Sequence, residues 1–169
     1  ALRGVSTGFP DLDNYLAGLQ KSDLIVLAAR PSLGKTSLAL NIARNVALGE
    51  KKSVGIFSLE MSREQLTDRL IASEAKVDLW RLRTGRMRSE GPDNDFTRVR
   101  DAMDALSGAA IYLDDSPSPT VMEIRAKARR LMSRHDIGLL VVDYLQLIKG
   151  RDNVESRVQE VSEISRSLK

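Results

Sequence analysis

The stretch Leu24-Ile25-Val26-Leu27-Ala28-Ala29-Arg30-Pro31-Ser32-Leu33-Gly34-Lys35-Thr36-Ser37 decides how this chain is read. Its opening apolar run predicts a buried strand, the Pro/Gly segment a turn, and the spacing of Leu38, Ile42 and Val46 a helix. Strand, loop and helix in that order form the context in which Gly-x-x-x-x-Gly-Lys-[Ser/Thr] signals a phosphate-binding loop. Backbone N–H groups of Ser32 to Thr36 would face one concavity at a helix N-terminus, where the helix dipole favours an anion. Lys35 would reach the β- and γ-phosphates, and Thr36 would offer its hydroxyl to Mg²⁺. Ala29 stands where the pattern usually has its first Gly. Because Ala tolerates a positive φ poorly, the loop must enter without needing one there.

Outward from that stretch the chain alternates strands and helices. Residues 1–20 hold Gly4, Gly8, Pro10 and Gly18 around a short helical segment, Asp11 to Ala17, and read as a lead-in; residues 21–169 read as the core. Ser53 to Leu59 predicts a second buried strand, ending at Glu60-Met61. Ser62 with Gln65 has capping-box spacing and opens a helix with the stripe Leu66, Leu70, Ile71. Phe96, Val99, Met103 and Leu106 mark a further amphipathic helix. Ala109 to Leu113 reads as a third strand, ending in Asp114-Asp115. Thr120 with Glu123 is a second capping box, opening a helix carried by Val121, Ile124, Ala128 and Leu131. Ile137 to Val142 reads as a fourth strand covered on both faces, ending in Asp143. Val158, Val161, Ile164 and Leu168 predict a last helix. The alternation implies an α/β fold with a mostly parallel sheet flanked by helices. Such sheets bind ligands beyond the carboxyl ends of their strands, and these ends carry Gly34-Lys35, Glu60, Asp115 and Asp143.

Composition bounds the function. The 169 residues fit one domain with a sizeable core. The net charge of +3 is slight support for a polyanionic partner. The absence of cysteine excludes disulfides and thiolate metal sites and fits a reducing cytoplasm. No apolar run approaches the roughly 20 residues of a membrane span. Ala1 is not a natural start and Leu168-Lys169 stops inside a helical pattern, so a piece of a longer protein is expected.

At the strand ends, Asp143 occupies the place where a nucleoside triphosphatase puts the carboxylate that helps hold Mg²⁺. Glu60 is placed either to activate a water attacking the γ-phosphate or simply as a surface residue near a helix N-terminus. Arg69 on the next helix either reaches Glu60 or phosphate, or lies on a solvated face. Asp114 and Asp115 read as loop-capping residues before a second acidic site. Gln146 is a relay of phosphate state to the following loop, or equally a hydrogen-bonded loop residue. His135, the single histidine, reads as structural, and Trp80 as core or subunit contact. Arg81, Arg83, Arg86 and Arg88 face nucleic acid, a neighbouring subunit or water, the last being the default.

Five segments together carry a family resemblance. They are Gly4-Val5-Ser6-Thr7-Gly8-Phe9-Pro10-Asp11-Leu12-Asp13, Ala29 to Thr36, Phe57-Ser58-Leu59-Glu60-Met61-Ser62, Asp143-Tyr144-Leu145-Gln146-Leu147 and Glu160 to Lys169. In that order they resemble the C-terminal motor domain of the bacterial replicative DNA helicases, the DnaB family, over essentially the whole chain. The resemblance implies a RecA-like ATPase core and a homohexameric ring. It implies ATP hydrolysis with Mg²⁺, coupled to 5′→3′ travel along single-stranded DNA and to duplex unwinding. By position, Lys35 and Thr36 would bind phosphate and Mg²⁺, Glu60 would be the catalytic base, Asp143 would serve Mg²⁺, and Arg69 would lie near the nucleotide. The family's γ-phosphate sensor, DNA-contacting loop and arginine finger would follow Lys169, and the domain that engages primase would precede Ala1. The isolated piece is therefore expected to bind nucleotide, hydrolyse it poorly and be marginally stable. A helicase loader is a further implied partner. Three other readings compete: a recombinase or RadA-like strand-exchange ATPase, a small-molecule kinase using Arg81 to Arg88 as a lid, and a nucleotide-binding assembly module without turnover.

Overall fold

The computed structural model describes residues 3–117 and 120–145. The elements run α1 (Pro10–Leu16), α2 (Lys35–Leu48), β1 (Ser53–Ser58), α3 (Arg63–Ala75), α4 (Leu79–Thr84), α5 (Asp95–Ser107), β2 (Ile111–Asp114), α6 (Val121–Arg134) and β3 (Ile137–Asp143). The three strands form one parallel sheet in the order β2-β1-β3.

Side-chain alternation on the central strand sorts the helices between the two faces. Val54 and Ile56 point into the main core with Leu40, Ala43 and Val46 of α2 and Leu66 and Leu70 of α3. Phe57 points the other way and packs with Ile124 of α6, joined by Ala128 and Val142. On that same face a Cβ at Gly55 would crowd Leu131 and Leu140. The connection from β1 to β2 thus runs over one face and the return from β2 to β3 over the other. Opposite directions on opposite faces give both crossovers the same hand, as parallel sheets require. A satellite cluster of Ala75, Val77, Val99 and Ala102 holds α5 against α3.

Local chemistry sets the helix ends. Both predicted capping boxes form: Ser62 with Gln65 before α3, and Thr120 with Glu123 before α6. The lead-in is tied down by buried Asp13. Its carboxylate accepts from Ser6 Oγ at 2.6 Å and from the Thr7 N–H and Oγ1 at 2.8 Å each. Asn45 of α2 donates to the Thr7 carbonyl at 3.0 Å, which fixes the lead-in to the phosphate-loop helix. Gly8, at φ +79°, sits where any side chain would meet Asn45.

Three expectations are corrected. The apolar run 24–29 is not a strand; it has no regular secondary structure and lies outside the three-stranded sheet, with Leu24 to Leu27 39–62% exposed. Apolar composition makes burial favourable, but a strand needs a ladder neighbour, and among the described residues this run pairs with none. Nor is β3 covered on both faces: it pairs with β1, but its burial alternates and Leu140 is 37% exposed, because cover depends on what packs above and below the sheet. On α5, Phe96 and Met103 lie outside, while Asp95, Val99 and Ala102 form the buried face. The stripe is set by contact with α3, not by the bulkiest side chains. The predicted helix through Val158 to Leu168 lies outside the described residues.

Candidate functional site

The site is built where α2 begins and β3 ends. Gly34, at φ +84°, is the N-cap of α2, and no side chain among the described residues caps that helix. The left-handed turn there suits Gly, and the lack of a side-chain cap leaves the orphan N–H groups of the first turn available to an anion. Ser32 also takes a positive φ, of 65°, whereas Ala29 is not among the residues that do. The Ala-for-Gly departure at the loop's entry is therefore accommodated without strain.

Thr36 and Asp143 are 107 positions apart, yet Thr36 Oγ1 donates to Asp143 Oδ2 at 2.7 Å. Lys35 Nζ lies 3.5 Å from the other carboxylate oxygen, Oδ1. The two oxygens of one carboxylate thus hold the hydroxyl and the ammonium side by side. Asp143 is buried, and Lys35 is about a quarter exposed. The other face of the ammonium is covered by the Tyr144 ring, 4.0 Å from its centroid. Sequence reasoning missed Tyr144, although it stands next to Asp143 in a quoted motif; what made it visible is its distance to Lys35.

Glu60 sits at the same carboxyl edge. The Leu59 N–H donates to the Asp143 carbonyl at 2.8 Å, and Glu60, one residue further on, is exposed with no ion pair among the described residues. Arg69 reaches across from α3, with Nη1 3.4 Å from Ser37 Oγ, and its buried Nε has no partner among the described residues. An unsatisfied guanidinium nitrogen beside the phosphate loop is costly unless something fills it. Gln146 lies outside the described residues.

The remaining candidates have structural work. Asp114 accepts from the Ser116 N–H and pairs with Lys127 at 2.9 Å. Burial tends to raise its pKa, but the Ser116 and Lys127 hydrogen bonds outweigh it and hold the carboxyl below its ordinary value. Asp115 accepts from the Arg63 N–H, which lowers its pKa in turn. These are the loop-capping roles expected. His135 Nδ1 is 2.9 Å from the Tyr112 hydroxyl, and the two rings stack. Trp80 is not core: it is 57% exposed, with the Arg86 guanidinium over its ring. Arg81 pairs with Asp95 and Arg83 with Asp68, so these two are not a free lid. Asp95 itself is fully buried. The Arg88 N–H bond, aided by the Arg98 and Arg81 charges, holds its carboxyl below the ordinary range against the effect of burial.

The donor set fits a hard cation. Thr36 and Asp143 offer oxygen only, and Mg²⁺ is commonly held by one or two protein oxygens with phosphates and water supplying the rest. Among the described residues no group of three or more His, Cys, Asp or Glu side chains gathers.

The family profile described as DnaB-like helicase C terminal domain matches residues 4–169. The replicative DNA helicase DnaB of Geobacillus stearothermophilus is 52% identical over 169 residues, covering 99% of this chain and 36% of that protein. The replicative DNA helicase DnaC of Bacillus subtilis (strain 168) is 50% identical, with the same coverage. This chain therefore spans about a third of the length of these curated relatives. Among solved structures, a DnaB-like replicative helicase studied with its interactions with primase superposes with a TM-score of 0.89. Its identity is 29%, over 99% of this chain and 41% of that one. These relatives are helicases, and none of them favours the recombinase or kinase readings.

Proposed function

Because this chain belongs to the DnaB-like helicase C-terminal domain family, we propose that it is the ATP-hydrolysing core of a replicative DNA helicase. The observation that carries the reading is the bridge from Thr36 Oγ1 to Asp143 Oδ2 at 2.7 Å, with Lys35 Nζ beside it at 3.5 Å. The segment from Ala29 through Arg30, Pro31, Ser32, Leu33 and Gly34 to Ser37 wraps the triphosphate, with backbone N–H groups at the start of α2 directed at its oxygens. Lys35 binds the β- and γ-phosphates. Thr36 and Asp143 would hold Mg²⁺, which would supply charge neutralisation at the phosphates. Glu60 takes the proton of the attacking water. Arg69 closes the side of the site next to Ser37, and Gln146 is retained as a relay.

In the longer protein, hydrolysis drives travel along single-stranded DNA and duplex unwinding by a homohexameric ring. Primase and a helicase loader are its further partners, and the cytoplasm is its compartment. Each site in such a ring is completed by an arginine from the adjacent subunit, a contribution of orders of magnitude in rate. Titration of the chain with Mg·ATP, followed by calorimetry, tests the core of this reading. Saturable binding that is lost in Lys35→Ala and weakened by removing Mg²⁺ supports it. Binding insensitive to both changes refutes it.

A further inference from the structure

Positive charge in this chain is concentrated on α6. Its 14 residues hold five basic side chains, Arg125, Lys127, Arg129, Arg130 and Arg134, against one acid, Glu123, which serves the capping box. That surplus exceeds the +3 of the whole sequence. Lys127, Arg130 and Arg134 are three and four positions apart, so they share one face of the helix. This face borders a groove of about 360 Å³ beside β2, which ends the described sheet. Tyr112 and His135 line the same groove as a stacked pair, with ring centroids 4.3 Å apart. Lys127 answers Asp114, the one acid in the lining, at 2.9 Å. Arg130 and Arg134 are exposed and form no ion pair among the described residues.

We propose that this groove is a contact site for single-stranded nucleic acid, with Arg130 and Arg134 on its phosphates and the Tyr112–His135 pair against a base. The two kinds of group match the two halves of a nucleotide. Guanidinium forks fit phosphate oxygens, and aromatic rings stack bases whatever the sequence. An acidic peptide would use the arginines and leave the rings idle. A duplex would offer phosphates but keep its base faces inside the stack. The rings are also fixed in place, since the Tyr112 hydroxyl lies 2.9 Å from His135 Nδ1, and a platform already ordered costs less to bind. The groove lies on the Phe57 face of the sheet, with α6, whereas α2 packs on the Val54 and Ile56 face. A strand there does not compete with Lys35 for its ligand. The inference deepens the reading of the longer protein as a motor on single-stranded DNA, and takes from it only the choice of DNA as the strand.

The test adds a labelled oligo-dT of about 15 nucleotides to this chain at low salt, without ATP, and follows fluorescence anisotropy and the His135 ring-proton NMR signal. His135 is the single histidine, so its signal needs no assignment. The strand should bind saturably, and the His135 signal should shift in step with it. Arg130→Ala/Arg134→Ala should weaken binding about ten-fold or more and flatten the salt slope by about 1.4. Lys21→Ala/Arg100→Ala, which removes the same charge from exposed positions elsewhere, should stay within about two-fold of wild type. An abasic strand of equal length should bind about five-fold weaker or more, because it keeps the phosphates and loses the stacking. A His135 signal that stays still under saturating oligo-dT overturns the proposal, even if the arginine variant does not fold. So does an equal loss in the two double variants, or an abasic strand that binds as tightly as oligo-dT. Polyglutamate of equal charge that matches oligo-dT also overturns it, in favour of an acidic protein partner. A chain that binds Mg·ATP but no oligo-dT sinks this inference and leaves the nucleotide reading standing; the reverse result does the opposite.

Discussion

Replacing Thr36 by Val removes one hydroxyl and almost nothing else. The branched shape is kept, so the change isolates the 2.7 Å donation from Thr36 Oγ1 to Asp143 Oδ2. Hydrogen bonds to charged acceptors contribute roughly 1.5–3 kcal/mol when well buried. Here Thr36 is only half-buried, and Asp143 keeps Lys35 as a partner after the change. Solvent and the remaining ion pair bring the expected loss down to about 1–2 kcal/mol. For a domain of this size that corresponds to a drop in Tm of about 3–6 °C. Asp143→Asn perturbs the other partner, and the double variant closes a thermodynamic cycle. Because the two groups touch, the cycle should return a coupling of about 1 kcal/mol, well outside the error for independent sites. Thermal and urea unfolding at neutral pH, without nucleotide, provide the measurement. The single variants should each be destabilised, and the double should cost less than their sum. Strict additivity would refute the bridge between α2 and β3, and with it the assembly of the site on which the functional reading depends.

Other perturbations probe separate parts of the molecule. Ile56→Ala empties the centre of β1, where the side chain is sandwiched by α2 and α3, and should cost about 2–5 kcal/mol by urea unfolding; the same truncation at exposed Met122 should stay within about 0.5 kcal/mol. Glu60→Gln should leave Mg·ATP affinity near wild type while lowering phosphate release about 100-fold or more in the assembled motor; an unchanged rate would remove Glu60 as the base. The carboxyls of Asp13, Asp95, Asp114 and Asp115 are all held below their ordinary value of 3.8. For groups depressed on folding, the stability they supply is complete above the unfolded value and is lost as pH falls through the folded ones. Urea midpoints should thus be level from neutral pH to about 5 and fall below about 4, with a shallower fall in Asp95→Asn. A midpoint that rises on acidification would contradict the assignment.

How far the sequence was legible depends on whether the information was local. The capping boxes at Ser62 and Thr120 were readable because donor and acceptor lie three residues apart, and both form as expected. The positions of β1, β2, β3 and of α1, α2, α3, α5 and α6 follow from period and punctuation in the same way, whereas α4, capped by Asp78 inside an arginine-dense stretch, does not. Burial was less legible. Leu24 to Leu27 have the composition of a covered strand and are exposed, because cover comes from neighbours in space. Phe96 and Met103 outweigh Ala102 in any hydrophobic scale, yet Ala102 is the residue that faces α3. In sequence Asp95 is one more acid in a charged stretch; its burial among Arg81, Arg88 and Arg98 arises only when α4 is brought against the start of α5.

The sequence by itself marked the parts of the candidate site, since Lys35-Thr36 opens α2 after Gly34, Asp143 ends β3, and Glu60 lies in the short link between β1 and the cap of α3. Only tertiary structure decided that Asp143 would serve Lys35 and Thr36 at once and that Tyr144 would lie on the ammonium. The reason is geometric. Placing β3 next to β1 brings a carboxylate 107 positions away to the start of α2, and a hydrogen bond of 2.7 Å depends on strand register that no local pattern encodes.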